Sequence, residues 1–500
     1  MSHLHSLHHD RSSLIDQNLN DQILIDDFLP IIMSANASTF SSIRALWSTL
    51  FGVGMYFTPR AFAKSEILLG CLQLFGVGLI SFLSIFALFF FSKKKTEENL
   101  RNNINEDASI PLNTHSINLQ FDEEEKENEL NSEITQNDVS YAGLGKGINK
   151  WIGRAIDSFI LIANISTVLF FQKYISLISF SLLPQSLIEN FPFDPYFVFI
   201  FIYGAIIWAC GLFKNLQSID WLSLISFGCI LTNCIIVGIM TCLLGDYRST
   251  HVSNPGYSIS LSAISTFIFS MDCQTNVVEV FSEMENKNIV NLAIVAFSAA
   301  FGACMFYGSI GIAGSLLFGD NMPNEDIITI LANSESSLVK YLSSRNSKFY
   351  CVHYIVPCLA ILGLLISSVY QLSAVTRSLN EKKIFKKNLT LNIRQVVTTG
   401  IVIIGVSIFN MFPQISLELV FAFIGQFMSN FLGYFFPFIF IAYLYWKKKK
   451  IYSFINVIIP ICSIVFGLYG FTDFIMLYFF SHEYLNIDKD LADGVSEGLT

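Results

Sequence analysis

Charge is scarce in this chain. Only 14% of its 500 residues are Asp, Glu, Lys or Arg, against 53% hydrophobic, and mean hydropathy is +0.54. That balance excludes an ordinary soluble domain, in which about a quarter of residues are charged. Metal-ligand spacing is also missing, since the ten cysteines include no CxxC pair and no Cys/His set. They lie mostly inside apolar runs and read as buried free thiols. His3, His5, His8 and His9 fall in a polar tail, where solvated side chains are a simpler reading than a metal site. Residues 1–42 contain no apolar run followed by a small-residue cleavage site, which reads against a secretory signal. Catalytic spacings of His/Asp or Cys/His are missing, so an enzyme is not indicated. A repeated filter-like loop is missing, so a channel is not indicated. The net charge of −9 excludes little, because the acid is concentrated in one run, Asp122-Glu-Glu-Glu-Lys-Glu-Asn-Glu129, that reads as a solvated segment.

Long apolar runs dominate instead, and 48 phenylalanines suit lipid-facing surfaces. Crossing ~30 Å of hydrocarbon takes about 20 residues in a helix. By that rule there are about eleven spans, at roughly 43–64, 66–92, 155–182, 196–213, 221–244, 258–281, 292–318, 350–374, 395–412, 416–445 and 452–480. The expectation is an all-α integral membrane domain over 43–480. A disordered tail of residues 1–42 precedes it, and a short tail, 481–500, follows it. A long polar loop is expected at 93–150 and a shorter one at 319–349.

Basic residues then set an orientation. Lys93, Lys94, Lys95, Lys146, Lys150 and Arg154 flank the second and third spans. Arg377, Lys382, Lys383, Lys386, Lys387 and Arg394 follow the eighth, and Lys447 to Lys450 follow the tenth. With alternating spans all three clusters share one side, which the positive-inside rule makes cytoplasmic. The N-terminus is then cytoplasmic and the C-terminus extracellular or lumenal. The choice between plasma membrane and an internal membrane stays open.

Two spans carry features that an uninterrupted membrane helix avoids. The sixth holds Met271-Asp-Cys-Gln-Thr-Asn276 between apolar flanks. An acid, an amide and hydroxyls at bilayer depth are costly unless they face a cavity, a ligand or one another. The first span holds Gly52, Gly54 and Pro59. The two glycines permit backbone conformations closed to other residues, and the proline removes a donor. Close packing on a neighbour is the alternative reading of the glycines. Interruptions five spans apart in opposed directions instead point to two broken helices around a transporter binding site. Freed N–H groups at such breaks suit an anionic group, and freed carbonyls suit a cation.

The chain resembles the amino acid/auxin permease family. Leu50-Phe-Gly-Val-Gly-Met-Tyr-Phe-Thr-Pro-Arg-Ala-Phe-Ala-Lys-Ser-Glu-Ile-Leu-Leu-Gly70 is similar to that family's G-x-G and P-x-A-F pattern. Phe267-Ile-Phe-Ser-Met-Asp-Cys-Gln-Thr-Asn-Val-Val-Glu-Val-Phe-Ser-Glu283 is similar to its F-x-F-x-x-x-C-H signature. Phe421-Ala-Phe-Ile-Gly-Gln-Phe-Met-Ser-Asn-Phe-Leu-Gly-Tyr-Phe-Phe-Pro437 is similar to its glycine-rich run ending in Pro. The resemblance spans most of 40–480 outside the 93–150 loop. It implies a five-plus-five inverted repeat plus one helix (LeuT-like, APC-type), with the first and sixth helices broken, and secondary transport of amino acids by alternating access. Carried over, the substrate carboxylate meets amides around Gly52, Val53 and Gly54, and the amino group is recognised around Ser270, Asp272, Cys273 and Gln274. The implied partners are a small amino acid substrate and the lipid bilayer, with no nucleic acid and no cofactor beyond a coupling H+ or Na+.

This chain departs from the family at two informative places. Gln274 stands where many relatives have His, and Glu279 where a Pro follows. Gln does not titrate, so Asp272 becomes the candidate for a coupling proton. An acid hydrogen-bonded within the bundle as structure is the alternative. Sodium-coupled members imply ligands at Ser48 and Ser368, where hydroxyls replace an Asn and a Thr. Lys173 in the third span reads as snorkelling to the outer surface. Proton-coupled or facilitative transport is the expected function. A membrane amino acid sensor that signals without flux is the alternative, and sodium symport the alternative coupling.

The orientation carries a test. The N-x-S/T matches at Asn36, Asn164 and Asn388 fall in the tail, a span and a cytoplasmic loop, so none should carry glycan. Enzymatic deglycosylation is expected to leave electrophoretic mobility unchanged, and a shift would contradict the topology.

Overall fold

A computed structural model of the chain describes residues 38–52, 54–107, 140–212, 220–244, 261–318, 326–345, 349–381, 391–412, 417, 420, 423–447, 461 and 465. Its elements are helices, the form that satisfies backbone N–H and C=O groups within one segment where water is excluded. In chain order they are α1 (Thr39–Leu50), α2 (Gly54–Ser65), α3 (Ile67–Asp107), α4 (Tyr141–Lys146), α5 (Lys150–Ser181), α6 (Gln185–Asn190), α7 (Pro195–Gly211) and α8 (Asp220–Leu243). Then come α9 (Leu261–Ser270), α10 (Gln274–Glu283), α11 (Ile289–Phe318), α12 (Ile327–Ala332), α13 (Ser337–Arg345), α14 (Val352–Glu381), α15 (Leu391–Asn410) and α16 (Phe436–Lys447). Two π-helical stretches, Phe423–Ser429 and Phe431–Phe435, lead into α16.

Among the described residues seven segments are long and apolar enough to cross a membrane: Ile67–Asn99, Lys150–Ser181, Leu224–Leu243, Ile289–Leu317, Val352–Thr376, Ile393–Asn410 and Phe423–Leu444. The apolar α7 is shorter. In place of the expected first and sixth spans stand two pairs of short helices in series, α1 with α2 and α9 with α10. The expected eleventh span at 452–480 lies almost wholly outside the described residues, as do residues 1–37 and the 481–500 tail. Exposed apolar side chains recur at helical spacing along single faces, as Leu68, Leu72, Phe75 and Leu79 on α3, or Ile294, Phe297, Phe301 and Met305 on α11. In water such stripes would be unstable, whereas lipid tails solvate them.

Two expected loops are partly helical. The helix of the second span runs past Lys93 to Asp107, because Lys94–Glu97 (2.6 Å) and Lys95–Glu98 (3.8 Å) pair along one face. The far end of the 93–150 segment folds into α4, whose first five residues are buried. The third span begins at Lys150, capped by the Asn149 side chain. The 319–349 segment contains α12, which is buried throughout, and α13. Lys173 is only 9% exposed, so it does not snorkel to solvent as expected; α12 packs against this region of α5. The cysteines divide, with Cys229, Cys234 and Cys273 buried but Cys242, Cys351 and Cys358 exposed.

The buried residues form two clusters. One holds Leu50, Phe51, Phe267, Met271, Tyr141 and Phe440. The other holds Tyr56, Phe57, Tyr174, Ile327 and Leu342. Both interrupted helices contribute to the first cluster on either side of their breaks, through Leu50 and Met55 and through Phe267 and Val277. At the α12 end, Asp326 is 3% exposed and caps that helix, accepting from Ile328 N (2.9 Å), Thr329 N (3.1 Å) and Thr329 Oγ1 (2.6 Å), and it also accepts from the Tyr174 hydroxyl of α5. Losing a cap costs about 1 kcal/mol, and stranding a buried hydroxyl costs about 1–3 kcal/mol more. Asp326→Ala is therefore expected to lower the unfolding temperature in detergent, and Asp326→Asn to lower it less. Unchanged melting of the alanine variant would contradict the capping role.

Candidate substrate and ion site

At the first break α1 ends on Phe51, whose φ and ψ of −73° and 84° leave the helix. The Leu50 carbonyl, released from the helical ladder, accepts from Gly52 N (2.8 Å) and from the Tyr307 hydroxyl of α11. The Gly52 carbonyl accepts from Met55 N at 3.2 Å. The chain then restarts as α2 at Gly54. In this conformation the Gly52 N–H is turned onto Leu50. Val53 lies outside the described residues.

At the second break α9 ends at Ser270 and α10 starts at Gln274. Met271, Asp272 and Cys273 between them are not helical. The Cys273 N–H donates to Gln274 Oε1 at 2.9 Å, so the glutamine closes the start of its own helix. The Asp272 carboxylate faces the Gln274 backbone N–H and the Ser429 hydroxyl. An acid beside a helix start is favoured by the helix dipole. No side chain caps α10, and Asp272 Oδ1, Ser429 Oγ and Gln274 Nε2 have no hydrogen-bond partner. Gln274 is fully buried and Ser429 is 1% exposed. Buried polar atoms with spare capacity are costly and concentrate where a ligand or proton completes them.

The two breaks touch. A Cβ at Gly54 would overlap Ser270 Oγ and approach Ser270 Cα and Cβ at 3.0 Å. The helix starts α2 and α10, each a positive dipole end, thus open within the same neighbourhood. Ser270 spends its hydroxyl on Thr266 O (2.7 Å), and Cys273 is buried. A third wall comes from the tenth span. A Cβ at Gly425 would stand 2.8 Å from Ser265 O, and one at Gly433 would stand 3.5 Å from the Gln274 side chain.

Of the expected site residues, Gly52, Gly54, Ser270, Asp272, Cys273 and Gln274 lie at the two breaks. Glu279 is exposed on α10. Ser368 is buried on α14 and donates to Leu364 O at 2.7 Å. The Ser48 side chain lies outside what is described. Sequence reading missed Ser429 and Tyr307. The polar pair Ser429-Asn430 inside the tenth apolar run was a usable signal for the first. Tyr307 gave none, because a tyrosine in a membrane helix is unexceptional.

A helical membrane protein with two broken helices meeting beside a half-buried acid belongs to the class of transporters. The chain is matched over residues 35–476 by the family model for transmembrane amino acid transporter proteins, and it belongs to that family. No curated protein matches it.

The contact between the breaks separates two glycines that look alike in sequence. An added methyl at Gly52 meets only Leu50 O at 3.9 Å, whereas at Gly54 it meets fixed backbone. Gly54→Ala is expected to cost about 1–3 kcal/mol through overpacking, and Gly52→Ala to fold normally. Melting curves of the two purified variants check this, and equal losses would contradict the packing.

Proposed function

We propose that the protein moves amino acids across a membrane by alternating access, coupled to a proton carried by Asp272 or driven by the substrate gradient alone. The observation that carries the reading is the Asp272 carboxylate at the sixth-span break, with Oδ1 free of other partners and Ser429 beside it. A carboxyl group so placed can exchange a proton or pair with a substrate ammonium. The family supports amino acids as the substrate class. The α2 N-terminus beside Ser270 suits the substrate carboxylate once the Gly52 N–H leaves Leu50.

In this reading the bundle has eleven spans, arranged as five plus five inverted spans plus one. The paired breaks support that arrangement, and the basic clusters support a cytoplasmic N-terminus and an extracellular or lumenal C-terminus. The α4 end then faces the cytoplasm and the α12 end faces outward. Sodium symport is the weaker coupling, since Ser368 already donates within its own helix and offers only lone pairs.

Asp272→Asn is expected to abolish pH-driven uptake while preserving substrate exchange across the bilayer. The amide keeps shape and polarity but cannot release a proton. Unchanged pH dependence in reconstituted vesicles would remove Asp272 from the coupling role.

A further inference from the structure

At the basic end of the bundle the fold gathers charges that lie far apart in sequence. Lys95 of α3 lies on the backbone just after α4, where a Cβ at Gly147 would stand 3.2 Å from Lys95 Cε and 3.6 Å from its Nζ. Lys146, the last residue of α4, packs on the start of α5, and a Cβ at Gly153 would overlap its backbone N and its side chain. Two positions without side chains therefore let α3, α4 and α5 set Lys95, Lys146 and Arg154 in one neighbourhood. A small cavity lies beside Lys95, lined also by Phe91, Glu98, Gly147, Tyr443 and Leu444. Its walls are of two kinds. Lys95 and Tyr443 are polar, whereas Phe91 and Leu444 are apolar, and Phe91 is held by stacking on Phe440 of α16 at 4.8 Å.

Much of the positive charge here is unspent. Lys95 meets Glu98 only at 3.8 Å, past hydrogen-bond length. Lys146, Lys150 and Arg154 are exposed and form no ion pair among the described residues. The acids set against them are Glu98 and, one turn along α5, Asp157, while Glu97 is taken by Lys94 at 2.6 Å. The Arg154 guanidinium lies 5.2 Å from the ring centre of Trp151, which is 73% exposed. An exposed tryptophan at the end of an apolar run marks the depth at which headgroups begin. We propose that this cavity and its basic rim bind the headgroup of one anionic phospholipid of the cytoplasmic leaflet, its phosphate between Lys95 and Lys146 and its acyl chains along Phe91 and Leu444. The choice of leaflet rests on the orientation proposed above. Cytoplasmic leaflets carry anionic lipids, and basic pockets between membrane helices take their headgroups. A soluble anion meets the same charges but gains nothing from the apolar wall, which therefore selects a lipid.

The test uses the full-length protein in uncharged detergent, titrated with phosphatidylserine or phosphatidylcholine, with bound lipid counted by native mass spectrometry. One phosphatidylserine is expected to bind at least about tenfold more tightly than phosphatidylcholine, since each basic residue near an anionic headgroup contributes roughly fivefold. Equal binding of the two lipids would overturn the site. Lys95→Gln/Lys146→Gln/Arg154→Gln is expected to lose the preference. Lys382→Gln/Lys383→Gln/Lys387→Gln, in the basic run after the eighth span, is expected to keep it. Equal loss in both triple variants would mean diffuse attraction to the basic end and would overturn a built site. Glycerophosphoserine, the headgroup without its chains, is expected to bind far more weakly, and binding as tight as that of the lipid would overturn a lipid as the occupant. If the first triple variant does not fold, Lys146→Gln alone, at an exposed position, is expected to lose about fivefold, and no loss would overturn the site. Micelles have no sides, so the result is independent of the orientation and of the transport reading.

Discussion

Pairing of backbone groups away from water governs this molecule. In hydrocarbon an unpaired N–H or C=O costs several kcal/mol, yet the chain interrupts two of its helices and loosens a third. Each interruption is answered locally. Leu50 O takes Gly52 N and the Tyr307 hydroxyl, and Cys273 N takes the Gln274 side chain. Leu432 O takes the Tyr141 hydroxyl, and Gly433 O takes Ser84. These partners come from α11, α10, α4 and α3, which is why those helices surround the breaks. The site is a by-product of that repair: where the partners run out, at Asp272 Oδ1, Gln274 Nε2 and Ser429 Oγ, room for chemistry remains.

The same constraint explains how a nearly uncharged bundle keeps a charge-bearing group at depth. Asp272 sits at the start of α10, where its carboxylate faces a backbone N–H and the helix dipole favours negative charge. An acid buried in a full set of bonds, such as Asp326 against Tyr174, Thr329 and two backbone amides, serves stability instead. The two acids differ in spare capacity, and that difference separates a working group from a structural one.

Much of this was legible in the sequence for physical reasons. Gly52, Gly54 and the run Met271 to Asn276 violate the rules of an uninterrupted membrane helix so plainly that both breaks could be placed to within a few residues. Less legible were features that depend on partners far away in the chain. The burial of α4 and α12 was hidden because polar flanks make both segments read as loops, though each is packed inside the bundle. The π-helical stretches at Phe423–Phe435 carry no composition signal that separates them from α-helix. Ser429 matters only because Gly425 and Gly433 let the tenth span approach Ser265 and Gln274, a closeness that sequence spacing does not encode.

Uptake of a labelled amino acid mixture into proteoliposomes, with a pH gradient, a sodium gradient or neither imposed, addresses the transport reading most directly. Accumulation that follows the pH gradient and is insensitive to sodium is the predicted result, with equilibration alone expected when no gradient is imposed. Folded protein that binds an amino acid yet carries none across the bilayer under any gradient would contradict transport and indicate a sensor.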